Sequence, residues 1–400
     1  MPNLIVFDDG IATLRPLTDL RPAFDVRTGA LTTLERLSTI IPAQTPACLH
    51  VPGCLARLTR EAHPDTPVNE LPDGESLLVS GRWLLPEGLS ALAHNSALSD
   101  AATGHLLAMR ADREHIASFL ANNAIPRAIA NTPIDNAAVL EHPWDVIRHR
   151  DACIAHDLGH IATRIPFETE SDGVTMLSRN NIFIHECANV LPSVALDATN
   201  GPIVIDEGAT VRLGAVIIGP AYIGPYSTVL DQALIKSNTA VGPACKVAGE
   251  LGGTIIQGNS NKAHDGHIGD SWIGEWVNLG AGTTNSNLLN TYGEVAAISG
   301  GRRHRTGLTF LGTIAGDHTK TAISTRLMTG TIIGTGAMIA STAPPPEDVP
   351  PFAWLTDSGS RSYRIQKFVD VMRTVMARRN ATPSDAYTAR IRELAELCAP

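Results

Sequence analysis

Residues 205–247 read "IDEGATVRLGAVIIGPAYIGPYSTVLDQALIKSNTAVGPACKV", and every sixth residue of this stretch is aliphatic. The positions in register are Ile205, Val211, Ile217, Ile223, Val229, Ile235, Val241 and Val247. A period of six fits neither an α-helix nor a β-strand. It fits a triangular coil, in which strands of about six residues each point one aliphatic side chain inward and small residues form the corners. An ordinary β-sandwich is the alternative, but it would show alternation with a period of two and longer turns.

The same register returns later in the chain, at Thr321, Leu327, Ile333 and Ile339. The two runs together predict a left-handed parallel β-helix over residues 178–342. Between them, from about residue 249 to residue 314, the six-residue rule fails. Interruptions of a solenoid usually mark loops on one face, often the binding face. Two histidines, His264 and His267, and the basic cluster Arg302–Arg305 lie inside this interruption, so the sequence predicts a site there.

The rest of the chain has other patterns. Residues 1–150 alternate strand patterns such as "NLIVFD" with helical patterns such as "DREHIASFLANN", which predicts an α/β domain with a mainly parallel, Rossmann-like sheet. Residues 151–177 are predicted to form a linker helix. Residues 343–400 contain the proline-rich stretch "STAPPPEDVPPF" followed by two amphipathic helical patterns, which predicts an extended strap and two C-terminal helices.

The composition excludes several classes of function. A formal net charge of −9 argues against a nucleic-acid partner, although a local basic pocket for a small phosphorylated ligand is compatible with it. The sequence shows neither a secretory signal nor a window of about 18 apolar residues, so we expect no membrane anchor. The six cysteines are scattered and form no CxxC pair, which is typical of a reducing compartment. We therefore expect a cytoplasmic protein.

Residues 262–287, "KAHDGHIGDSWIGEWVNLGAGTTNSN", resemble the acetyltransferase segment of the bifunctional N-acetylglucosamine-1-phosphate uridyltransferase/glucosamine-1-phosphate N-acetyltransferase family. The motifs "LRPLTDLRPAFDVRTGALTTLERL", "HPWDVI", "AGDHTK" and "PPFAW" are similar to those of its shorter bacterial sugar nucleotidyltransferase-like relatives. The resemblance implies a nucleotidyltransferase-like first domain, a hexapeptide-repeat acyltransferase domain that uses acetyl-coenzyme A, and a homotrimer that shares its sites between adjacent β-helices.

The resemblance also implies roles for individual residues. It places His264 at the general base and His267 where relatives have a substrate-contacting tyrosine. The predicted substrate-binding residues are His267, Asn278, Asn287, Arg302 and Arg303, and the predicted cofactor-binding residues are Ala281, Gly282, Asp317, His318 and Lys320. The chemistry is consistent, because a sugar amine must lose a proton to attack a thioester, and histidine is the side chain suited to accept it. Backbone N–H groups at "GAG" could stabilise the oxyanion.

Other interpretations of the same residues stay open. The asparagines favour left-handed corners, the arginine cluster is also typical of a solvated loop, and a β-helix without a site is a stable scaffold. A different chemistry is a zinc-dependent hydratase of the gamma carbonic anhydrase type, using three of the histidines His264, His267, His304 and His318. Metal is not part of the predicted acetyltransferase site.

The first domain departs from the nucleotidyltransferase pattern that it resembles. The glycine-rich loop is reduced, and the predicted remnants of nucleotide binding are Gly10, Thr13, Arg15, Arg21 and Arg27. Ala23 stands where the family has a lysine, and residues 81–83, "GRW", stand where it has a magnesium-binding aspartate. Asp8, Asp9 and Asp145 are the candidate replacements.

Together these features predict an acetyl-coenzyme A-dependent N-acetyltransferase for a glucosamine 1-phosphate-like amino sugar phosphate. Its attached domain is expected to bind a sugar or nucleotide, with Mg²⁺ needed only if that domain is active. A fully bifunctional enzyme that also forms the UDP-sugar is the alternative.

Overall fold

The computed structural model describes residues 2–11, 13–41, 45–164 and 173–398. The chain divides into two compact units. The first comprises Met1–Leu14, Leu20–Val26 and Leu31–Asp145, and the second comprises Arg15–Asp19, Arg27–Ala30 and Val146–Pro400. Two short segments from the early chain therefore belong to the second unit.

The first unit is built on a six-stranded sheet with the order β2-β1-β3-β5-β4-β6. Its strands are β1 Asn3–Phe7, β2 Cys48–His50, β3 Glu75–Ser80, β4 Ser96–Asp100, β5 Leu106–Asp112 and β6 Ala130–Ile134. Its helices are α1 Thr33–Ile40, α2 Ala56–Ala62 and α3 Arg113–Asn122, with 3-10 turns at Ala23–Asp25 and Leu89–Ala91. The pairs β1–β2, β1–β3 and β4–β6 are parallel, whereas β5 runs antiparallel to both its neighbours. The Rossmann-like sheet is confirmed, with an antiparallel strand in its middle.

The second unit is a parallel β-helix with three faces. The first face contains Thr175–Leu177, Ala195–Asp197, Val216–Ile218, Leu234–Ile235, Glu250–Gly252, His267–Gly269, Thr284–Asn285 and Arg326–Leu327. The second contains Ile182–Ile184, Ile203–Ile205, Ala221–Ile223, Thr239–Val241, Ile255–Gly258, Trp272–Glu275, Ile314–Ala315, Ile332–Ile333 and Asp348–Val349. The third contains Asn189–Val190, Thr210–Val211, Thr228–Val229, Lys246–Val247, Asn261–Lys262, Lys320–Thr321, Met338–Ala340, Ala353–Thr356 and Gly359–Ser362.

The aliphatic hexad forms the core of this β-helix, as the sequence predicts. All eight residues of the first run are fully buried and belong to one continuous hydrophobic cluster. Each stacks on its equivalent in the next coil, so that Ile217 pairs with Ile235 and Ile223 pairs with Val241. Inward-facing aliphatic side chains are thereby removed from water in three columns, which is the main stabilising term of such a coil. The left-handed parallel β-helix is confirmed.

The interruption of the hexad has two different causes. Val229 pairs with Val247, a full three hexads later, whereas Val247 pairs with Lys262, which falls short of that spacing. The pairing of Ile235 with Leu251 is shortened in the same way. The first part of the interruption is thus a set of shortened coils without an extruded loop. Only residues 286–313 form a true insertion, which contains an antiparallel hairpin of Ala296–Ser299 and Arg302–Arg305.

Helical segments flank the β-helix in the chain. Helix α4 spans Asp145–Arg148 and α5 spans Arg150–Ile161. Of the predicted linker 151–177, residues 165–172 lie outside the described residues, and Thr175–Leu177 already forms a strand. A 3-10 turn covers Arg179–Asn181.

The β-helix continues beyond residue 342, because Asp348–Val349 and Ala353–Thr356 pair with the preceding coil. Helices α6 Ile365–Ala377 and α7 Asp385–Leu397 follow it. In the described ranges, no helix has the length and apolar character needed to cross a bilayer.

Candidate active site at a stack of coil corners

His264 lies on a corner between the third and first faces of the β-helix, and that corner is one of a series. We call residues 248–249, 263–266, 280–283 and 322–325 the corner stack. Backbone hydrogen bonds join successive corners: Gly282 N–H donates to the Asp265 carbonyl at 3.1 Å, and Ser324 N–H donates to the Ala281 carbonyl at 2.6 Å. The structure therefore brings His264 onto the corner next to the predicted acetyl-coenzyme A residues Ala281 and Gly282.

Glycine is required where these corners touch. A Cβ on Gly249, whose φ is +69°, would lie 2.9 Å from the His264 carbonyl oxygen and 2.8 Å from that of Gly266. A Cβ on Gly266, at φ +114°, would lie 2.1 Å from the Thr283 carbonyl oxygen. Both glycines also adopt a backbone conformation that side-chain-bearing residues rarely tolerate. The His264 corner is consequently clamped between its neighbours.

A buried lysine holds the same corner from inside. Lys262 occupies an inward position of the third face, stacked on Val247, and only 3% of it is exposed. Its ammonium donates to the backbone carbonyls of Ala248 at 3.3 Å, Asp265 at 3.0 Å and His264. Burial lowers the pKa of Lys262 to about 8. An ammonium in this core has a desolvation cost, which the three carbonyls of two adjacent corners offset.

The outer surface of the corner offers two groups to a ligand. His264 is exposed, and among the described residues none forms a hydrogen bond with its imidazole. Of the three N–H groups predicted to stabilise an oxyanion, Gly280 N–H donates to Thr321 Oγ1 at 2.9 Å and Gly282 N–H is used in the corner stack. Ala281 N–H has no acceptor within the described part of the chain. The predicted oxyanion donor in the "GAG" sequence is therefore the N–H group of Ala281.

His267 and Asn287 meet on the first face. A Cβ on Gly269 would lie 2.6 Å from His267 Nε2 and 2.7 Å from Asn287 Nδ2, so both side chains converge over this glycine. His267 Nδ1 lies 3.3 Å from Glu250 Oε1. The Asn287 amide donates to Asp270 Oδ2 at 2.6 Å. The structure thus unites two of the predicted substrate-binding residues.

Asp270 is itself fixed by a cation. Its Oδ1 lies 2.6 Å from Arg150 Nη1, and the same nitrogen donates to the Gly253 carbonyl at 2.6 Å. Arg150 begins helix α5, which therefore anchors the Asn287 amide through Asp270.

Asn278 and Lys320 face outward from the third face, on the other side of the corners from His267. Asn261, Asn278 and Lys320 follow one another on adjacent rungs. They line a cavity of about 540 Å³ that the C-terminal end of α6 also borders. Burial without a neighbouring carboxylate lowers the pKa of Lys320 to about 8. Asn278 and Lys320 are thus accessible to a ligand, but on a wall separate from that of His267.

Asp317 and His318 correct the sequence-based prediction of cofactor contact. Both are at most 1% exposed. Asp317 Oδ1 accepts a hydrogen bond from Glu275 N–H at 2.6 Å, and His318 Nε2 lies 2.8 Å from the Tyr387 hydroxyl while its ring stacks on Trp276. These side chains support the coil and helix α7 and do not reach a ligand.

The burial of His318 removes one of the four histidines considered as zinc ligands. In the described ranges, no group of three or more His, Cys, Asp or Glu side chains is placed to hold a metal ion.

Arg302 and Arg303 are exposed on the hairpin of the insertion. Arg303 forms an ion pair with Glu347 at 2.9 Å. Their role in binding phosphate stays a prediction, and the structure shows no contact between them and the corner stack.

The predicted nucleotide-binding residues divide between the two units. Gly10 and Thr13 are exposed in the first unit, and Arg21 is buried there. Arg15 and Arg27 belong to the second unit, and their role in nucleotide binding stays a prediction. Arg15 Nε donates to Asp19 at 2.6 Å, and Arg27 is buried with its backbone N–H donating to Gln257 Oε1 at 2.7 Å. The Arg27 guanidinium also donates to the carbonyls of Gln257 and Ala30, whereas the Arg15 side chain is half exposed.

A guanidinium replaces the expected metal ligand in the first unit. Arg82, within the "GRW" stretch, is 1% exposed and lies 2.8 Å from Asp9 Oδ2 and 2.5 Å from Glu141 Oε1. The Asp8 carboxylate accepts backbone hydrogen bonds from Gly10 at 2.9 Å and Ala23 at 2.7 Å. Burial raises the pKa of Asp8.

Asp145, the third candidate magnesium ligand, also has hydrogen-bond partners within the protein. Asp145 Oδ2 accepts hydrogen bonds from the backbone N–H of Glu141 at 3.0 Å and of His142 at 2.7 Å. The donor set of the first unit therefore does not fit Mg²⁺, because the carboxylates already have protein partners.

Comparisons with known proteins find similarity to sugar nucleotidyltransferases and to bifunctional enzymes. Residues 4–164 match the family model described as sugar nucleotidyl transferase. A bifunctional protein GlmU from Nostoc sp. is 27% identical over 198 residues, which cover 44% of this chain and 40% of the relative. A bifunctional sugar-1-phosphate nucleotidylyltransferase/acetyltransferase from Sulfurisphaera tokodaii is 32% identical over 172 residues, 40% of each protein. Over the matched residues, the chain is similar to GlmU.

The likeness has limits. The chain matches about two fifths of the length of these curated relatives. Among solved structures, the UDP-N-acetylglucosamine acyltransferase of Francisella novicida is 17% identical, with a TM-score of 0.22, covering 54% of this chain and 78% of the other. The assignment of the fold therefore rests on the coils of this chain and not on this structural likeness.

Several residues of the site cannot be predicted from the amino-acid sequence. Lys262 falls within the motif, but the six-residue register does not assign it to the core, because its coil is shortened. Arg82 and Arg150 form ion pairs with residues distant in sequence, which no local pattern reveals. The basic side chains of the cavity, Lys246, Arg378 and Arg379, come from the third face and from the end of α6.

Proposed function

We propose that this protein is an acetyl-coenzyme A-dependent N-acetyltransferase acting on an amino sugar phosphate of the glucosamine 1-phosphate type. The observation that supports it best is the exposed His264, held by Lys262 and stacked beside Ala281. A scaffold protein needs neither a buried lysine under a corner nor an unengaged histidine on it. The names of the bifunctional relatives, one of which includes acetyltransferase, support the same reaction.

The proposed reaction uses few groups of the chain. His264 accepts a proton from the sugar amine as the nitrogen attacks the thioester carbonyl of acetyl-coenzyme A. Ala281 N–H donates to the oxygen that becomes negatively charged. The C–N bond forms, the C–S bond breaks, and the imidazolium returns its proton to the departing thiolate. The products are an amide and coenzyme A.

Incubation with acetyl-coenzyme A and glucosamine 1-phosphate tests this proposal. We expect the N-acetylated sugar phosphate to be detected by mass spectrometry, with glucosamine as a control acceptor for the importance of the phosphate. Absence of every acetylated amino sugar from correctly folded protein would remove the proposal. We also propose the homotrimer that the resemblance implies; light scattering that gives the mass of a monomer would contradict it.

We propose further that the first unit binds a sugar or nucleotide but does not transfer nucleotides. Metal-assisted attack on an α-phosphate requires a cation held by free carboxylates, and in this unit Arg82 already pairs with Asp9 and Glu141. The structure supports the interpretation that the Arg82 guanidinium is a permanent cation between these two carboxylates. We therefore expect no pyrophosphate release from UTP, Mg²⁺ and a sugar 1-phosphate.

One result of the nucleotidyl-transfer assay would contradict this proposal. Release of pyrophosphate that requires Mg²⁺ and is lost in Asp9→Asn would show that the carboxylate exchanges Arg82 for the metal. It would also establish the bifunctional alternative.

A further inference from the structure

The lining of the cavity on the third face is strongly cationic. Four cationic side chains line it: Lys246, Lys320, Arg378 and Arg379. In the part of the chain that the structure describes, none of the four forms an ion pair with a carboxylate. This concentration is unusual in a chain whose formal net charge is −9. Like charges gathered without counter-ions destabilise a free protein, so the arrangement calls for an anionic ligand.

The cations are placed on rigid elements. Lys246 and Lys320 project from rungs of the third face, and two asparagines, Asn261 and Asn278, occupy the rungs between them. Arg379, two residues after the end of α6, closes the cavity, because its guanidinium donates to Asn261 Oδ1 at 2.7 Å and to the Ala244 carbonyl. The wall is thus organised before any ligand arrives, which lowers the entropic cost of binding.

The lining identifies a class of ligand. Guanidinium and ammonium groups together are the usual partners of phosphate oxygens, and amides suit hydroxyl groups. Trp276 and Tyr226 add aromatic surface. A volume of about 540 Å³ accommodates a small phosphorylated molecule and lies within the usual range for such sites.

We propose that this cavity binds the phosphate ester of a substrate whose reacting group lies at the corner stack. Asn261 and Asn278 each precede a residue of that stack by three positions, His264 in one case and Ala281 in the other. The inference rests on the proposed acetyl transfer, and it adds Lys246, Arg378 and Arg379 to the site. Both the amino sugar phosphate and coenzyme A carry phosphate, and the test separates them.

Binding is measured by calorimetry on the full-length protein, with four probes: glucosamine 1-phosphate, glucosamine, coenzyme A and pantetheine. The variants are Lys320→Met and Arg378→Gln, and Arg373→Gln is the matched control because this arginine is exposed on α6 outside the cavity. We expect the first two variants to weaken one phosphorylated probe about tenfold or more and to leave its unphosphorylated counterpart unchanged. Whichever phosphorylated probe responds is the ligand of the cavity.

A second readout separates binding from a structural role. Because Lys320 is a partly desolvated cation without a counter-ion, Lys320→Met should raise the melting temperature of the ligand-free protein. A lower melting temperature together with unchanged affinity for both phosphorylated probes would overturn the proposal.

The assays distinguish this proposal from the proposed function. If phosphate-dependent binding is observed without acetyl transfer, the cavity assignment stands and the reaction fails. If transfer proceeds with the same affinities in all variants, the reaction stands and the cavity assignment fails.

Discussion

Replacing His264 by alanine should lower the rate of acetyl transfer on the order of 100-fold or more. The residue is exposed, so its removal leaves no cavity in the core and should not change the melting temperature. The lost step is proton removal from the amine. The defect should therefore shrink as the pH rises, because more of the substrate is then the neutral amine and only the proton released during the attack still needs an acceptor.

His185→Ala is the matched control for this experiment. His185 also follows a strand of the β-helix, but it lies in the first coil and its Nδ1 accepts a hydrogen bond from Cys187 N–H at 3.1 Å. Its substitution should leave the rate unchanged. Should His264→Ala retain the wild-type rate with an intact β-helix, the general-base assignment is wrong.

Replacing Lys262 by methionine should separate activity from stability. Methionine has a similar length and fits among Leu251, Ile268 and Leu279, which surround this part of the core. The carbonyls of His264 and Asp265 lose their shared donor, and we expect the rate to fall about 10- to 100-fold because the base is no longer held in place. The free energy of unfolding should stay the same or rise, since a buried charge is removed.

The pH dependence of stability provides an independent check on Lys262. The pKa values of Lys262 and Lys320 are lowered to about 8, whereas an unfolded chain binds these protons up to about pH 10.4. Between these pH values the unfolded state holds more protons, so the folded state gains stability as the pH rises. From pH 8 to pH 9 the gain should be about 1 kcal/mol per lysine.

A buried thiol opposes this gain at higher pH. Burial raises the pKa of Cys245 to about 12, whereas an unfolded thiol ionises at about pH 8.5, so ionisation already favours the unfolded chain between pH 8 and pH 9. Urea titrations at pH 8 and pH 9 measure the balance. Lys262→Met should remove more than half of the increase, because the thiol already lowers the net gain, whereas Lys367→Met, on the exposed side of α6, should keep all of it. An increase that is the same in wild type and Lys262→Met would show that this ammonium is not desolvated.

The aliphatic hexad is sufficient to predict the β-helix, because each regular coil consists of three hexads and repeats the same inward positions. Ile217, Ile235 and their equivalents are buried as the period requires. The motif around His264 is sufficient to place a candidate base. Alternating patterns predict the first domain as α/β, but the antiparallel position of β5 is a matter of topology that strand patterns do not specify.

The rest of the site depends on register and on long-range contacts. The sequence suggests an extruded loop around His264, and the structure shows a regular corner of a shortened coil. This shortening puts Lys262 into the core, where a period of six would put an aliphatic side chain. The polar character of His318 predicts a ligand contact, but Tyr387 and Trp276 enclose it, and neither neighbour can be predicted from local sequence.

The central claim is acetyl transfer at the corner stack, and thiol release from acetyl-coenzyme A tests it most directly. The wild-type protein is assayed with and without glucosamine 1-phosphate. We predict release that requires the amine and matches the N-acetylated product mole for mole. Release no faster than spontaneous hydrolysis, with glucosamine 1-phosphate and with every other amino sugar phosphate or nucleotide-linked amino sugar supplied to folded protein, would contradict the claim.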